Sequence, residues 1–292
     1  MPCLSCSIRP TGSSPSTQSH AGAHEGVTLT NVLSTAGSRV CTKTGLSLVR
    51  PPSHTIHRIG LTQYDAVNPE VRDRSADREK WSRWDTPGGR TLYAADTAMG
   101  AYAEVLPYIR ENLPKTMLST LFPDDDPTDG DDRTTLADQV RAEMPAPTLR
   151  DKITQGWRDI RTHYELKITS GGWFVDVLTG TSIQTLNHVF VPAGETVGRM
   201  TATDLTGEQR QLTTSVAEWV RNQVLDDGSL PVGIKYQSKH GYDIPAYAIW
   251  LRALDDGKSL RSERIRMVTA SAVKKDDPDL REVAGWYDLK VL

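Results

Sequence analysis

The 292-residue sequence has only three cysteines and no long apolar run. Cys3, Cys6 and Cys41 all precede the first clear secondary-structure element, so we expect no disulfide to hold the fold. Cys3 and Cys6 form a C-x-x-C pair without a second ligand pair, which makes a zinc site a poor interpretation. Because no apolar run reaches the roughly 20 residues that a spanning helix needs, the sequence predicts no membrane segment.

An excess of one charge sign is also missing. Lys and Arg number 34, Asp and Glu number 37, and the formal net charge is −3. This balance argues against a nucleic-acid-binding surface spread over the whole protein, although it leaves a local basic patch open. The N-terminus lacks the apolar core of a secretory signal. We therefore expect a cytoplasmic protein without nucleic-acid or membrane partners.

Familiar enzyme motifs are absent as well. The sequence contains no G-x-G-x-x-G, no G-x-x-x-x-G-K-[ST], no H-E-x-x-H and no G-x-S-x-G. An acidic run at residues 124–132 resembles a calcium loop, but Pro127 occupies a ligand position and Leu136 stands where a bidentate glutamate is needed. We predict no metal site and no dinucleotide held as a redox cofactor.

Length and composition predict one domain preceded by a disordered tail. Residues 1–50 are rich in Ser, Thr, Gly and Ala and show little periodicity. Such a segment buries too little apolar surface to offset the entropy of ordering. We place the domain at residues 51–292 and expect deletion through Arg50 to leave the melting temperature unchanged.

Alternating apolar residues predict strands at residues 55–60, 91–94, 164–168, 173–177, 183–191, 232–238, 243–251, 265–273 and 286–292. A turn at residues 170–172 indicates that two of these strands form a hairpin. Helices are expected to start at Asp96, at Thr213 or Thr214, and at Pro278. The pattern is typical of an α+β protein with a mixed or antiparallel sheet core.

The stretch at residues 82–106 organises the candidate chemistry. A proline–glycine turn leads to a strand that carries Tyr93, and a helix follows. Gly100 or Ala101 shares one face of this helix with Glu104, since residues three and four apart are neighbours. Small residues beside a carboxylate let a flat ligand or another backbone come close. The alternative is that they only permit tight helix–sheet packing and that Glu104 is solvated.

Three motifs together resemble the RES family, which is named for an arginine, a glutamate and a serine. They are HRIG at 57–60, SRWD at 82–85 followed by Tyr93 and the helix with Glu104, and GIKYQS at 233–238. The similarity covers most of the chain after the predicted tail. The spacing across three separate motifs is more specific than any one of them.

The sequence departs from the family pattern at two positions. GRWN is usual where this chain has SRWD, so Ser82 and Asp85 replace a glycine and an asparagine. A carboxylate at Asp85 near Glu104 is expected either to raise the pKa of one of the two carboxyls or to repel the pyrophosphate of a substrate. This departure keeps open the alternative of a non-catalytic member that retains the fold for binding.

The resemblance implies a fold similar to ADP-ribosyltransferase toxins and an enzyme that consumes NAD. Characterised family members degrade NAD by hydrolysis or phosphorolysis, and many are toxins paired with an Xre-type antitoxin. NAD is then the substrate, inorganic phosphate is a co-substrate if phosphorolysis occurs, and no other cofactor is expected. Transfer of ADP-ribose to a macromolecule is an alternative within the same chemistry. The sequence leaves a homo-oligomer open.

The resemblance also assigns roles to five residues. Arg58, Glu104 and Ser238 match catalytic positions, and Tyr93 and Arg83 match substrate-binding positions. Glu104 is expected to stabilise positive charge on the ribose, and Arg58 or Arg83 to hold a pyrophosphate or phosphate. Tyr93 is expected to stack on nicotinamide, and Ser238 to bond a carboxamide or phosphate oxygen. We predict that four of them, Arg58, Tyr93, Glu104 and Ser238, converge in one concave site.

Overall fold

The computed structural model describes residues 37–111, 151–169, 171–191, 198–258 and 264–292. These residues form a mixed α+β structure built on a curled, nine-stranded sheet, so the predicted α+β class is confirmed. The acidic run at 124–132 and residues 1–36 of the predicted tail lie outside the described residues.

The strands follow one another along the described chain as β1 (Ser38–Val40), β2 (Ser47–Val49), β3 (Ile56–Leu61), β4 (Thr91–Ala95), β5 (Lys152–Ile153), β6 (Arg161–Ile168), β7 (Phe174–Asp176), β8 (Gly233–Ser238), β9 (Gly241–Trp250), β10 (Ile265–Ala272) and β11 (Lys290–Val291). The large sheet has the order β1-β2-β7-β8-β9-β4-β3-β6-β10. Its neighbours are antiparallel except β7 and β8, which run parallel. The short strands β5 and β11 pair separately.

The α-helices are α1 (Ala98–Ala103), α2 (Tyr108–Glu111), α3 (Gln155–Asp159), α4 (Gly180–Phe190), α5 (Ala202–Thr206), α6 (Arg210–Arg221), α7 (Arg252–Asp255) and α8 (Pro278–Trp286). Two short 3-10 helices, Thr62–Tyr64 and Arg78–Lys80, lie in the connection between β3 and β4. Across the described residues, no helix combines the length and the apolar character that crossing a membrane requires.

Both faces of the sheet are buried. On one face, α4 and α6 pack against β2, β7, β8 and β9 through Leu186 and Val216. The opposite face forms a second cluster, so that the successive residues Ala248 and Ile249 of β9 belong to different clusters. A third cluster joins α1 and α8 to β3 and includes the fully buried Tyr102. The alternation of side chains across strands accounts for this division.

A split in the sheet sets the position of the site. β3 and β4 are neighbours, but they pair at one position only, His57 with Ala95. Each strand is instead held along its length by its outer neighbour, β3 by β6 and β4 by β9. The two strands therefore separate beyond the single pair, and space opens between them.

The predicted domain boundary at residue 50 is wrong. β1 and β2 lie inside the predicted tail, yet they form one edge of the large sheet. Cys41, Leu46 and Leu48 are fully buried, and Leu48 pairs with Val175 of β7. A strand of three residues is too short to show periodicity, so composition alone indicated an unstructured segment.

The predicted hairpin and one predicted strand are also wrong. β6 pairs with β3 and β10, whereas β7 pairs with β2 and β8, so the turn between them joins strands that are not neighbours. Residues 183–191 belong mostly to α4, which Thr179 caps by accepting a hydrogen bond from the amide of Ser182. Ile183 and Leu186 recur at helical spacing, but the β-branched end of the segment favoured a strand.

The start of α1 differs by one residue from the prediction. Thr97, and not Asp96, caps the helix, because its hydroxyl accepts a hydrogen bond from the amide of Gly100 at 3.0 Å. Asp96 instead accepts a hydrogen bond from the hydroxyl of Tyr247 at 3.0 Å. Asp and Thr are both favourable N-cap residues, so the sequence does not distinguish Asp96 from Thr97. The hydrogen bond between Tyr247 and Asp96 makes the distinction, because it engages the carboxylate of Asp96 elsewhere.

The predicted start of α6 and the predicted length of the last strand are also wrong. α6 begins at Arg210, so Thr213 and Thr214 lie inside the helix, where their hydroxyls donate to carbonyls of the preceding turn. The strand predicted at 286–292 is reduced to Lys290–Val291, because α8 extends to Trp286. A threonine hydroxyl either accepts a hydrogen bond as an N-cap or donates one to a carbonyl of the preceding turn, so threonine alone does not mark where a helix begins.

We expect Leu48→Ala to lower the free energy of unfolding by about 2–5 kcal/mol, because it leaves a cavity in a fully buried position. Val40→Ala is the matched control, since Val40 lies on the neighbouring strand and is 48% exposed. Its effect should stay within about 0.5 kcal/mol. Urea unfolding of both variants tests this, and equal midpoints would show that β1 and β2 contribute no stability.

Candidate functional site

A cavity of about 570 Å³ lies beside the split between β3 and β4. Its wall is built from both strands, the connection between them, α1 and the end of β8. This volume lies within the usual range for small-molecule sites. The basic wall residues are Arg58, Arg72, Lys80, Arg83, Arg210 and Lys239, and the acidic ones are Glu70, Glu79, Asp85 and Glu104. Six basic against four acidic side chains favour an anionic ligand.

Arg58 reaches from β3 to β4 across the split. Its Nη1 donates to the main-chain carbonyl of Tyr93 at 3.0 Å. Its Nε is buried and has no hydrogen-bond partner among the described residues. A Cβ on Gly60 would lie 3.2 Å from this Nε, so the glycine leaves room for the guanidinium beside its own strand. Burial lowers the pKa of Arg58, but an arginine side chain stays protonated at neutral pH.

Arg83 supplies a second guanidinium in the cavity wall. Its central carbon lies 5.8 Å from the ring centroid of Tyr236, a cation–π distance. Its Nε is buried and, in the part of the chain that the structure describes, has no hydrogen-bond partner. Two guanidinium groups with unused donors are therefore available to one ligand.

Glu104 supplies the carboxylate of the cavity. It forms the C-terminal cap of α1 and is partly buried. Its Oε1 is buried and accepts no hydrogen bond from any described residue. The alternative of a solvated glutamate is therefore wrong for this oxygen, which is ready to accept a hydrogen bond from a ligand.

The two small residues of α1 have different roles. A Cβ on Gly100 would lie 2.8 Å from Ile244 Cγ2 and 3.1 Å from the Cβ of Ala95, so Gly100 permits close packing on the sheet. Ala101 lies in the cavity wall. The packing interpretation therefore holds for Gly100, while Ala101 leaves space beside Glu104.

Tyr93 lies in the wall, but its hydroxyl is already committed. It donates to Asp85 Oδ1 at 2.9 Å and accepts from the amide of Trp84 at 2.9 Å. Burial, and then the Asp85 carboxylate, raise the pKa of Tyr93 well above its ordinary value. The hydroxyl therefore remains a donor, and only the ring face of Tyr93 is available to a ligand.

Asp85 is a structural centre of the wall. It is 2% exposed, and its Oδ2 accepts from Arg72 Nε at 2.6 Å and from the amide of Ser82 at 2.9 Å. Burial raises the pKa of this carboxyl, while Arg72, the Ser82 amide and Tyr93 oppose the shift. The charge that was expected to repel a substrate is thus paired with a guanidinium.

Ser238 does not join the other predicted residues. It is 1% exposed, lies outside the cavity wall, and its hydroxyl accepts a hydrogen bond from the amide of His240 at 3.1 Å. The register of β8 and β9 shifts between Gln237 and Ser238, although Ser238 keeps the alternating burial of Ile234 and Tyr236 along β8. Of the four residues predicted to converge, Arg58, Tyr93 and Glu104 line one cavity together with Arg83, whereas Ser238 does not line it.

Some residues of the site were missed in the sequence. Arg72 lies in a charged connection in which no local pattern singles it out. Tyr236 shares the β8 pattern with Ser238 and could have been found from it.

Within the described ranges, no group of three or more His, Cys, Asp or Glu side chains is placed to hold a metal ion. In the cavity wall, the groups with buried polar atoms that lack partners among the described residues are the guanidinium groups of Arg58 and Arg83 and the carboxylate of Glu104. The rings of Tyr93 and Tyr236 lie in the same wall.

We expect Arg72→Met to lower the free energy of unfolding by about 3 kcal/mol at neutral pH, because it leaves Asp85 buried and unpaired. The folded-state pKa of Asp85 is raised, so this carboxyl takes up its proton first in the folded state as pH falls. The deficit should therefore shrink toward acidic pH. Urea unfolding at neutral and acidic pH measures it. Arg74→Met, at an exposed position of the same connection, is the control, and an unchanged deficit at both pH values would contradict the pairing.

The chain was compared with known proteins in three ways. No protein-family model, no curated protein and no solved structure matches it. The function of the site has to be argued from the residues that form it.

Proposed function

We propose that this protein is an NAD-consuming enzyme that cleaves the nicotinamide–ribose bond by hydrolysis or phosphorolysis. One observation carries the proposal. The unused donors of Arg58 and Arg83 and the unused acceptor of Glu104 lie in the wall of one cavity. Leaving buried polar atoms without partners costs free energy, so a ligand that satisfies them is the simplest reason for their retention.

The anionic part of NAD fits the two arginines. A pyrophosphate presents oxygen acceptors that match the planar donors of a guanidinium. Arg58 is fixed by its bond to the Tyr93 carbonyl and lies in the cavity wall, so its guanidinium holds positive charge beside the position proposed for the anion. The pairing of Asp85 with Arg72 reduces the repulsion that would otherwise oppose such an anion.

The carboxylate fits the reacting end of NAD. As the bond between the nicotinamide nitrogen and the ribose breaks, its electron pair leaves with nicotinamide and positive charge develops on the ribose. Glu104 offers a fixed negative charge and a free oxygen that accepts from a ribose hydroxyl. A partly buried carboxylate stabilises such a cation more than a solvated one does. Water or phosphate then bonds to the ribose carbon, and the nucleophile's proton passes to solvent.

The resemblance to the RES family supplies the remaining parts of the proposal. They are an ADP-ribosyltransferase-like fold and an Xre-type antitoxin as protein partner. Arg58 and Glu104, which match two of the three residues for which that family is named, line one cavity. Ser238, which matches the third, does not line it.

The direct experiment incubates the full chain with NAD, with and without inorganic phosphate, and separates the products by chromatography. Nicotinamide with ADP-ribose indicates hydrolysis, and nicotinamide with a phosphorylated ADP-ribose that appears only with phosphate indicates phosphorolysis. Mass added to a protein acceptor would indicate transfer instead. Intact NAD under all conditions would overturn the proposal.

We expect Glu104→Gln to lower kcat by about 10²–10³, because it removes the charge that stabilises the developing cation and keeps the shape of the side chain. KM should change far less, since the effect falls on the transition state. Steady-state kinetics with NAD measure both constants. Glu282→Gln, on the exposed surface of α8, should leave kcat unchanged, and equal turnover of the two variants would remove Glu104 from the mechanism.

A further inference from the structure

Tyr64 stands at the end of the strand that carries Arg58. It closes the 3-10 helix Thr62–Tyr64, which follows β3 directly. Its side chain lies in the cavity wall and is nevertheless 52% exposed. An exposed aromatic ring in the wall of a polar cavity offers a flat apolar surface to a ligand.

The turn that presents Tyr64 is fixed on both sides. On one side, the amide of Thr62 donates to the carbonyl of Ile160 at 3.0 Å, and the hydroxyls of Thr62 and Thr162 lie 2.9 Å apart. On the other side, Ala66 is buried and its amide donates to Asp65 Oδ1 at 2.6 Å. Tyr64 is therefore exposed on a turn that is held in place.

The same turn stores backbone strain. Asp65 has a φ of 62°, in the left-handed region that residues other than glycine rarely adopt. Such a conformation costs free energy and persists where the surrounding structure enforces it, often beside a binding site. The strain lies directly after Tyr64, so it affects the residue that the turn presents to the cavity.

Tyr108 is a second exposed tyrosine in the cavity wall, and its ring lies near a different charged side chain. Tyr108 follows Glu104 by four residues, and Lys239 Nζ lies 5.7 Å from its ring centroid. It therefore belongs with the carboxylate end of the cavity. Tyr64 instead lies in the 3-10 helix that directly follows β3, the strand that carries Arg58.

We propose that Tyr64 is the stacking platform for the purine base of a dinucleotide whose phosphates bind Arg58. This subsite rests on the proposed function and specifies its substrate class. We assign the base beyond the phosphates to the ring of Tyr64, which lies in the same cavity wall as Arg58 and follows it along the chain. The site thereby selects a dinucleotide over nicotinamide mononucleotide, which lacks the second base.

The test is calorimetric titration of the full chain with two probes, ADP-ribose and nicotinamide mononucleotide. ADP-ribose carries the purine and both phosphates, whereas the mononucleotide carries neither the purine nor the second phosphate. Tyr64→Ala should weaken ADP-ribose binding about tenfold to a hundredfold, as loss of one base–aromatic stack does. Its affinity for nicotinamide mononucleotide should remain that of the unchanged protein.

Two further variants separate stacking from loss of apolar bulk. Tyr64→Phe keeps the ring and should bind ADP-ribose like the unchanged protein, whereas Tyr64→Leu should show the same loss as the alanine variant. Tyr242→Ala is the matched control, because Tyr242 is 80% exposed and lies outside the cavity wall. It should bind both probes normally.

The outcomes distinguish this subsite from the enzymatic proposal. If ADP-ribose binding depends on the ring of Tyr64 while NAD stays intact, the subsite stands and the proposed activity falls. If NAD is cleaved while Tyr64→Ala binds ADP-ribose normally, the activity stands and the subsite falls. Failure of the unchanged protein to bind ADP-ribose, or an equal loss for nicotinamide mononucleotide, would also overturn the subsite.

Discussion

The structure of the site depends on the bond between Arg58 and the carbonyl of Tyr93. β3 and β4 share a single backbone pair, so their edges would otherwise face a gap without partners. The guanidinium bridges this gap and satisfies one carbonyl, while its Nε has no hydrogen-bond partner among the described residues. A sheet that stayed paired along both strands would close the cavity. The split and the arginine that spans it therefore occur together. Backbone pairing between β3 and β4 is lost beyond one position, and a polar cavity lies beside the two strands.

The connection between β3 and β4 is held against β4 by a second charged group. Asp85 accepts hydrogen bonds from Arg72, from the Ser82 amide and from Tyr93, and so joins three parts of the wall. A buried carboxylate is costly unless its acceptors are satisfied, and here all the donors come from the wall itself. Asp85 thus organises the wall of the cavity through these three hydrogen bonds.

The remaining polar atoms of the cavity show the opposite behaviour. Arg58, Arg83 and Glu104 each keep a buried atom without a partner among the described residues. The hydrogen bonds of Asp85 are all made within the wall, so Asp85 supports the cavity. The three side chains with a buried atom that lacks a partner are the ones that we propose contact a ligand. Tyr64 adds an exposed ring on a strained turn, so the cavity offers cations, an anion and a flat apolar surface together.

By itself, the sequence determined the α+β class, the strands around Arg58, Tyr93 and Tyr236, and four residues that line the cavity, Arg58, Arg83, Tyr93 and Glu104. Period-two alternation is a local property, and it survives folding wherever a strand is long enough to show it. Tertiary structure alone decided that β1 and β2 belong to the sheet, that β6 and β7 are not neighbours, and that Ser238 does not line the cavity. Strand order, a register shift and the pairing of Asp85 with Arg72 depend on contacts between distant segments, which no local pattern encodes.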